Sequence, residues 1–428
     1  MEPSIQTSNP RIQLSILLMT TICTLTTQAF VNRMQEAIGK PMNSKIASLP
    51  LAYVEGWLYT TQIAIGNPPQ TFTAAVDLCW SDLFVPSIDC PSVDRPEYCA
   101  PHPLYDSSAS NTYVTSERNV SLHHSGFYTR GNAAVESIHV DGLEVRSQGF
   151  EEATIFRPNY FFNDSWYDTA LGLSRQTVRS TESDLQVASP LQNMMAQNLL
   201  ARNAFLLCLP RSSHEVGQLV LGHIPERLDE EAHRKALPLN ERPGRSNFMI
   251  QPLRDELAVT PLDRAVHSKQ ADYVSGGWQL GGSSVSFGTG PSAPTLDLSN
   301  YTIVLSTMEF WLSFPKGFAR ALRNRLGVSP IDGSIECDKR MLELPDLIIS
   351  LKGREEHTYN FTLTGAEYIR AEPKMPFMDP ERCLVPFVLH EEDEKDEKFI
   401  VLGSMFLEKY QVIFDHDSGF VALLDRPF

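Results

Sequence analysis

Positive charge is scarce in this chain. Of 428 residues, 36 are lysine or arginine against 52 aspartate or glutamate, a formal net charge of -16. A surface of that sign repels phosphate backbones and anionic headgroups, so nucleic acid and anionic membrane are excluded as partners. Long apolar runs are also lacking. Residues 16–25 are apolar, follow Arg11 and precede the small residues around Ala29, but the run is short for a bilayer span. It reads as a secretory signal cleaved near residue 29, which leaves no membrane association after cleavage. The C-terminus carries no hydrophobic tail, so a lipid anchor is not expected. Several catalytic signatures are missing. There is no Gly-x-Ser-x-Gly elbow, no His-Glu-x-x-His and no phosphate-cradling glycine loop, so serine-hydrolase, zinc-hydrolase and P-loop chemistries have no motif here. No metal and no cofactor is expected.

What is present is mostly β patterning. Residues 58–65, 71–77, 136–140, 205–210, 218–221, 399–402 and 411–414 are rich in Val, Ile, Thr and aromatics, and Gly, Pro, Asn and Asp separate them. Helical periodicity is sparse, with candidates at 190–203 and 318–326. The expectation is a mostly β protein with a few short helices and enough chain for two lobes. Seven cysteines include Cys23 in the signal. Cys79 and Cys208 read as buried thiols, with a bond between them left open. Sequons at Asn119, Asn163, Asn300 and Asn360 fit passage through a secretory pathway to the extracellular space.

One stretch carries the most information. A strand ends in Gly66-Asn67-Pro68-Pro69-Gln70, a second strand delivers Asp77, and Leu78-Cys79-Trp80-Ser81-Asp82-Leu83-Phe84-Val85-Pro86-Ser87 follows. This order resembles the first signature of the pepsin-like (A1) aspartic peptidases, Asp-Thr-Gly-Ser-Ser-Asp-Leu-Trp-Val-Pro-Ser. Later runs resemble the same family: Asp168-Thr169-Ala170-Leu171-Gly172-Leu173 in the first half, and Ile400-Val401-Leu402-Gly403-Ser404-Met405-Phe406-Leu407 near the end. The resemblance covers residues 53–428. It implies a bilobal fold of two double-psi-type β lobes around a central cleft, built as an internal duplication. It also implies disulfides Cys90–Cys99 and Cys337–Cys383, where the family commonly carries them. The boundaries it implies are a signal at 1–29, a short pro-region or N-terminal extension at 30–52, an N-terminal lobe at 53–226 and a C-terminal lobe at 227–428.

The family's chemistry needs two aspartates sharing one proton across a water, because carboxylates about 3 Å apart cannot both ionise. Asp77 matches the first. In the second half, Ile303-Val304 and Phe314-Pro315 set the register to within one inserted residue, and Leu305 then falls where the second Asp should be. Glu309 lies four positions later and Asp297 eight earlier, so neither is in register to replace it. The first loop has changed too. Leu78 cannot make the hydrogen bonds of the family threonine, Cys79 adds a side chain where glycine is usual, and Trp80 puts a ring where serine is usual. In the flap hairpin, His123 takes the place of the family tyrosine, with His124 and Tyr128 beside it. His123 and His124 form either a pH-sensitive lid or a polar tip with no role.

These features point to a secreted, monomeric homologue without protease activity. Its interlobe cleft would hold a peptide, a protein such as an enzyme, or a polysaccharide. An active aspartic endopeptidase using Asp77 and an unrecognised second acid is the alternative, and a secreted storage or matrix protein is the third.

Overall fold

The computed structural model describes residues 45–93, 96–124, 127–158, 167–175, 185, 187–239, 277–329, 333–338, 344–354, 357–371, 381–390 and 398–426. The signal at 1–29, residues 30–44 of the expected extension and the sequon at Asn163 lie outside them. Strands dominate, as the composition of the short Val-, Ile- and Thr-rich segments requires.

The first lobe is built on long antiparallel hairpins. Strand Leu58–Ile65 pairs with Gln70–Asp77, and Val114–His124, Phe127–Val140 and Leu143–Pro158 follow one another as a meander. The last three are far longer than the sequence patterning indicated, because bulges at residues 115–118, 130–131 and 136–138 reset the in–out alternation that the eye follows. The second lobe has an eight-stranded sheet in the order 358–363, 347–352, 278–287, 302–305, 399–402, 312–315, 387–390, with Thr295–Asp297 on its edge. The two lobes form the mostly β bilobal architecture that the resemblance implies.

The halves share a sheet. Strand Tyr410–Asp415, near the C-terminus, pairs with Ala204–Cys208 of the first half through Val412↔Leu207 and Phe414↔Phe205. Strand Ala47–Val54 joins the same sheet through Ala47↔Leu221 and Tyr53↔Tyr59, so residues 47–52 are part of it. Phe205 stacks on Phe414 at 4.5 Å, with Trp278 edge-on to both. The Trp278 indole N–H donates to the Leu173 carbonyl at 2.9 Å, tying the second half to the loop behind the first lobe's acid. This continuous apolar layer gives the site below a rigid floor.

Helices are short. Pro190–Ala196 starts with a reciprocal cap between Ser189 and Gln192. It stops before the expected residue 203 because Asn198 turns left-handed at φ 54°. Lys316–Leu326 ends at Gly327, whose φ of 68° lets its N–H reach the Arg323 and Asn324 carbonyls. Both expected disulfides form, Cys90–Cys99 and Cys337–Cys383. Cys79 and Cys208 are free thiols, so no bond links them.

Candidate active site

Two parallel strand pairs position the site, one in each lobe. In the first, Val76 lies opposite Leu171 and Asp77 opposite Gly172. In the second, Val304 lies opposite Val401 and Leu305 opposite Leu402, and Ser306 and Gly403 come next. Aligning Leu171-Gly172 with Leu402-Gly403 makes Leu305 the counterpart of Val76 and Ser306 the counterpart of Asp77. Close backbone approach gives the same register independently. A Cβ on Gly172 would lie 2.4 Å from the carbonyl oxygen of Trp80, and one on Gly403 would lie 2.2 Å from that of Glu309. Trp80 is three residues after Asp77, and Glu309 is three residues after Ser306. Only glycine permits such a crossing.

The expected site of the second acid, Leu305, is therefore corrected by one residue. Leu305 is fully buried in the apolar core, as Val76 is. The position facing Asp77 across the pseudo-twofold belongs to Ser306, also fully buried, whose hydroxyl accepts the Glu309 N–H at 3.1 Å. The counterpart of Asp77 in this register therefore carries a hydroxyl rather than an aliphatic chain.

Thr307 is then the counterpart of Leu78, and its bonds bear this out. Its hydroxyl donates to the Val76 carbonyl at 2.6 Å and accepts the Leu78 N–H at 3.2 Å. One half of a reciprocal lobe-to-lobe clasp is present. Leu78 has no hydroxyl with which to make the other half. Cys79 stands in part for it, donating its thiol to the Leu305 carbonyl at 3.4 Å. Packed with Val304 and Val401, the Cys79 thiol is held well above its usual range, first by burial and then by the charge of Asp77. It is no nucleophile in this state.

Asp77 itself is completely buried. Its Oδ1 accepts the Cys79 N–H at 2.8 Å, and its Oδ2 lies 2.9 Å from Nε2 of His124. The His124 ring is also fully enclosed. Its Nδ1 is 3.2 Å from the Tyr167 hydroxyl, Trp80 packs on it at 4.9 Å between ring centres, and Phe84 packs at 5.5 Å. Trp80 thus explains its own substitution, since the ring fills the space beside the imidazole. Its indole N–H finds no acceptor among the described residues, at a cost of about 1–3 kcal/mol that burial of so large a ring offsets.

The flap expectation is also corrected. His123 is exposed and stacks on Tyr128 directly across the hairpin at 4.7 Å between ring centres, on the outward face. His124, one residue on, is the flap side chain that reaches the acid. Adjacent strand residues point to opposite faces, so only one of the two could do so.

Two further carboxylates were candidates for a second acid. Asp297 is exposed at the edge of the second lobe and bonded to the Ser299 N–H and hydroxyl, which hold it below the usual carboxylate range. It takes no part in the site. Glu309 belongs to the site. Half-buried, its carboxyl is pushed up to about 6 by that burial and by the charge of Asp77. It occupies the place of Trp80 in the other lobe rather than the place of Asp77. No group of three or more potential metal ligands occurs among the described residues, and no helix among them is long and apolar enough to cross a membrane.

Comparison with known proteins agrees with this geometry. Residues 58–234 match the family model for eukaryotic aspartyl protease. The chain is similar to vacuolar protease A of Aspergillus fumigatus, 27% identical over 85% of this chain and 78% of the relative. It is 26% identical to pepsin A of Gallus gallus over 87% of this chain and 84% of the relative. Cathepsin D of Bos taurus is also 26% identical, over 86% of this chain and 84% of the relative.

Proposed function

Since the chain belongs to the pepsin-like family of aspartic peptidases, we propose that it is a member that binds in its cleft without hydrolysing what it binds. One observation carries this reading. The surviving acid, Asp77, is fully buried and its Oδ2 lies 2.9 Å from Nε2 of His124 on the flap hairpin, so one of its two oxygens is already engaged by a protein group. Ser306, at the partner position, carries a hydroxyl that does not ionise in this range, so it cannot share the single proton of a carboxylate pair. Loss of one member of an acid–base pair lowers rates by roughly 10²–10⁴-fold, and here the survivor is covered as well.

The ligand of such a site is an extended peptide or protein segment lying under the flap hairpin. Exposed Asn119, Asn300 and Asn360 support a glycosylated protein of the secretory pathway, with residues 1–29 as its signal and the chain acting as a monomer outside the cell. The test uses purified protein incubated with casein and with denatured haemoglobin from about pH 2 to about pH 7, a range that covers carboxylate titration. No cleavage is expected at any pH. Cleavage blocked by a statine-type inhibitor and lost in Asp77→Asn overturns the reading.

A second reading, an active aspartic endopeptidase, has one observation in its favour. Glu309 is a half-buried carboxyl raised to about 6, first by its burial and then by the charge of Asp77, as one member of an interacting acid pair would be. It predicts cleavage lost equally in Asp77→Asn and Glu309→Gln.

A further inference from the structure

We infer that Cys79 and Met308 are reciprocal pegs, each set into the opposite lobe and matched in size to what receives it, which lock the lobes together beside Asp77 and Ser306. The lock rests on the reading of this centre as non-hydrolytic and accounts for what closes it.

The register that pairs Ser306 with Asp77 and Thr307 with Leu78 pairs Met308 with Cys79. The two side chains cross the lobe boundary in opposite directions. Cys79, fully buried, packs with Val304 and Val401 of the second lobe, and its thiol donates to the Leu305 carbonyl at 3.4 Å. Those two valines lie opposite each other on the second lobe's parallel strand pair. Met308, only 6% exposed, is packed into a cluster whose other described members all belong to the first lobe, among them Ala75, Ala170, Trp80 and Phe84. Ala75 and Ala170 lie opposite each other on the first lobe's parallel pair.

The receiving residues are counterparts too. Ala75 precedes Asp77 by two residues, as Val304 precedes Ser306, and Ala170 precedes Gly172 by two, as Val401 precedes Gly403. Pegs and receivers are inversely sized. The short cysteine meets two valines, and the long methionine goes to the side with two alanines. Interiors fill to near-crystal density, so large against small is what lets both sides close. Valines on the first lobe would overpack Met308, and alanines on the second would leave a void beside Cys79.

Side chains two apart on a strand share a face, so Ala75 lies on the face of Asp77 and Val304 on that of Ser306. The pegs therefore take up room beside the two positions between which the family's chemistry needs a water, and both positions are wholly buried. The Leu78 N–H bond to the Thr307 hydroxyl at 3.2 Å joins the residues just before the pegs, which keeps the two loops in contact.

A double-mutant cycle on the full chain tests the fit. Met308→Ala empties space on the first lobe's alanines and Ala75→Val overfills it, so each alone should lower the urea midpoint. Together they should lower it by less than the sum of the single losses, because valine takes up room that methionine leaves. Losses that add in full overturn the fit. Locking has its own readout, the rate of Cys79 alkylation by iodoacetamide in the native protein, followed by peptide mapping. Met308→Ala should raise it at least roughly tenfold, since such a truncation costs more than a tenfold change in an equilibrium. Cys208, on strand Ala204–Cys208, should label as in wild type. Met194→Ala, which empties a buried site in the first lobe's helix Pro190–Ala196, should leave the Cys79 rate unchanged. An unchanged Cys79 rate in Met308→Ala, or an equal rise in Met194→Ala, overturns the lock. If Ala75→Val does not fold, the alkylation rates decide alone. Casein cleavage by the wild-type protein judges the non-hydrolytic reading separately. Cleavage dependent on Asp77 sinks that reading and leaves the midpoints and rates to decide the pegs.

Discussion

Thr307→Val should loosen the contact between the lobes without changing its shape. Valine matches threonine closely in volume, so the substitution removes a hydroxyl and little else. That hydroxyl makes two bonds across the lobe boundary, to the Val76 carbonyl at 2.6 Å and from the Leu78 N–H at 3.2 Å. Thr307 is fully buried, so neither backbone group regains a partner from water. An orphaned buried group costs about 1–3 kcal/mol. The N–H bears the full amount and the carbonyl, with two lone pairs, bears less, which gives a loss of about 2–4 kcal/mol. Thr307→Ser keeps the hydroxyl and deletes one methyl, so it should lose only about 1 kcal/mol. Urea unfolding under oxidising conditions, followed by tryptophan fluorescence with equal slopes for the three proteins, gives both differences. If Thr307→Val matches Thr307→Ser, the hydroxyl is not the clasp, and the register that makes Ser306 the counterpart of Asp77 loses its hydrogen-bond support.

Three other outcomes are expected. The Glu309 carboxyl, raised to about 6 in the fold against about 4.3 in an open chain, binds its proton more tightly when folded. Stability should therefore fall as pH rises from about 4.3 to about 6 and be level above that, by about 2 kcal/mol. Glu309→Gln should remove this slope in urea titrations at a series of pH values, and an identical slope in the variant would count against the assignment. Gly172→Ala and Gly403→Ala each push a Cβ to 2.4 and 2.2 Å from a backbone oxygen of the adjoining loop. Both should give little folded protein, or a loss above about 4 kcal/mol, read by yield and thermal melting; wild-type melting in either would refute the close crossing. Cys79, buried with its thiol held well above the usual range, should resist iodoacetamide in the native protein and react after unfolding. Peptide mapping that finds native alkylation at Cys79 would show the loop to be open.

The fold was legible because separated motifs in the right order constrain topology strongly. The Asp77 loop, Leu171-Gly172 and Leu402-Gly403 each mark a place where backbone crosses backbone, and such crossings admit few sequences. The exact partner of Asp77 was not legible. Ile303-Val304-Leu305 is a uniform apolar run, and nothing in it says where the strand ends. The pairing of Leu305 with Leu402 and the two bonds of Thr307 place the boundary one residue later. That His124 rather than His123 faces the acid was not legible for a related reason. In a strand, a shift of one residue exchanges the inner and outer faces. The bulge at residues 115–118 breaks any count of alternation from the start of the hairpin, so His123 and His124 were indistinguishable by position. A signal was available in Trp80, since an aromatic replacing a small residue beside an acid implies a ring to pack against.

The sequence by itself determined the mostly β, bilobal architecture and both disulfides. These follow from residue identity at positions where the backbone or the reaction tolerates almost no alternative. Tertiary structure alone decided that Ser306 rather than Leu305 faces Asp77, that Glu309 shares its electrostatic surroundings, and that His124 covers it. Those relations depend on strand register and on which face a side chain takes, and both are set by contacts between segments hundreds of residues apart, such as the 229-residue separation spanned by the bond from Leu78 to Thr307.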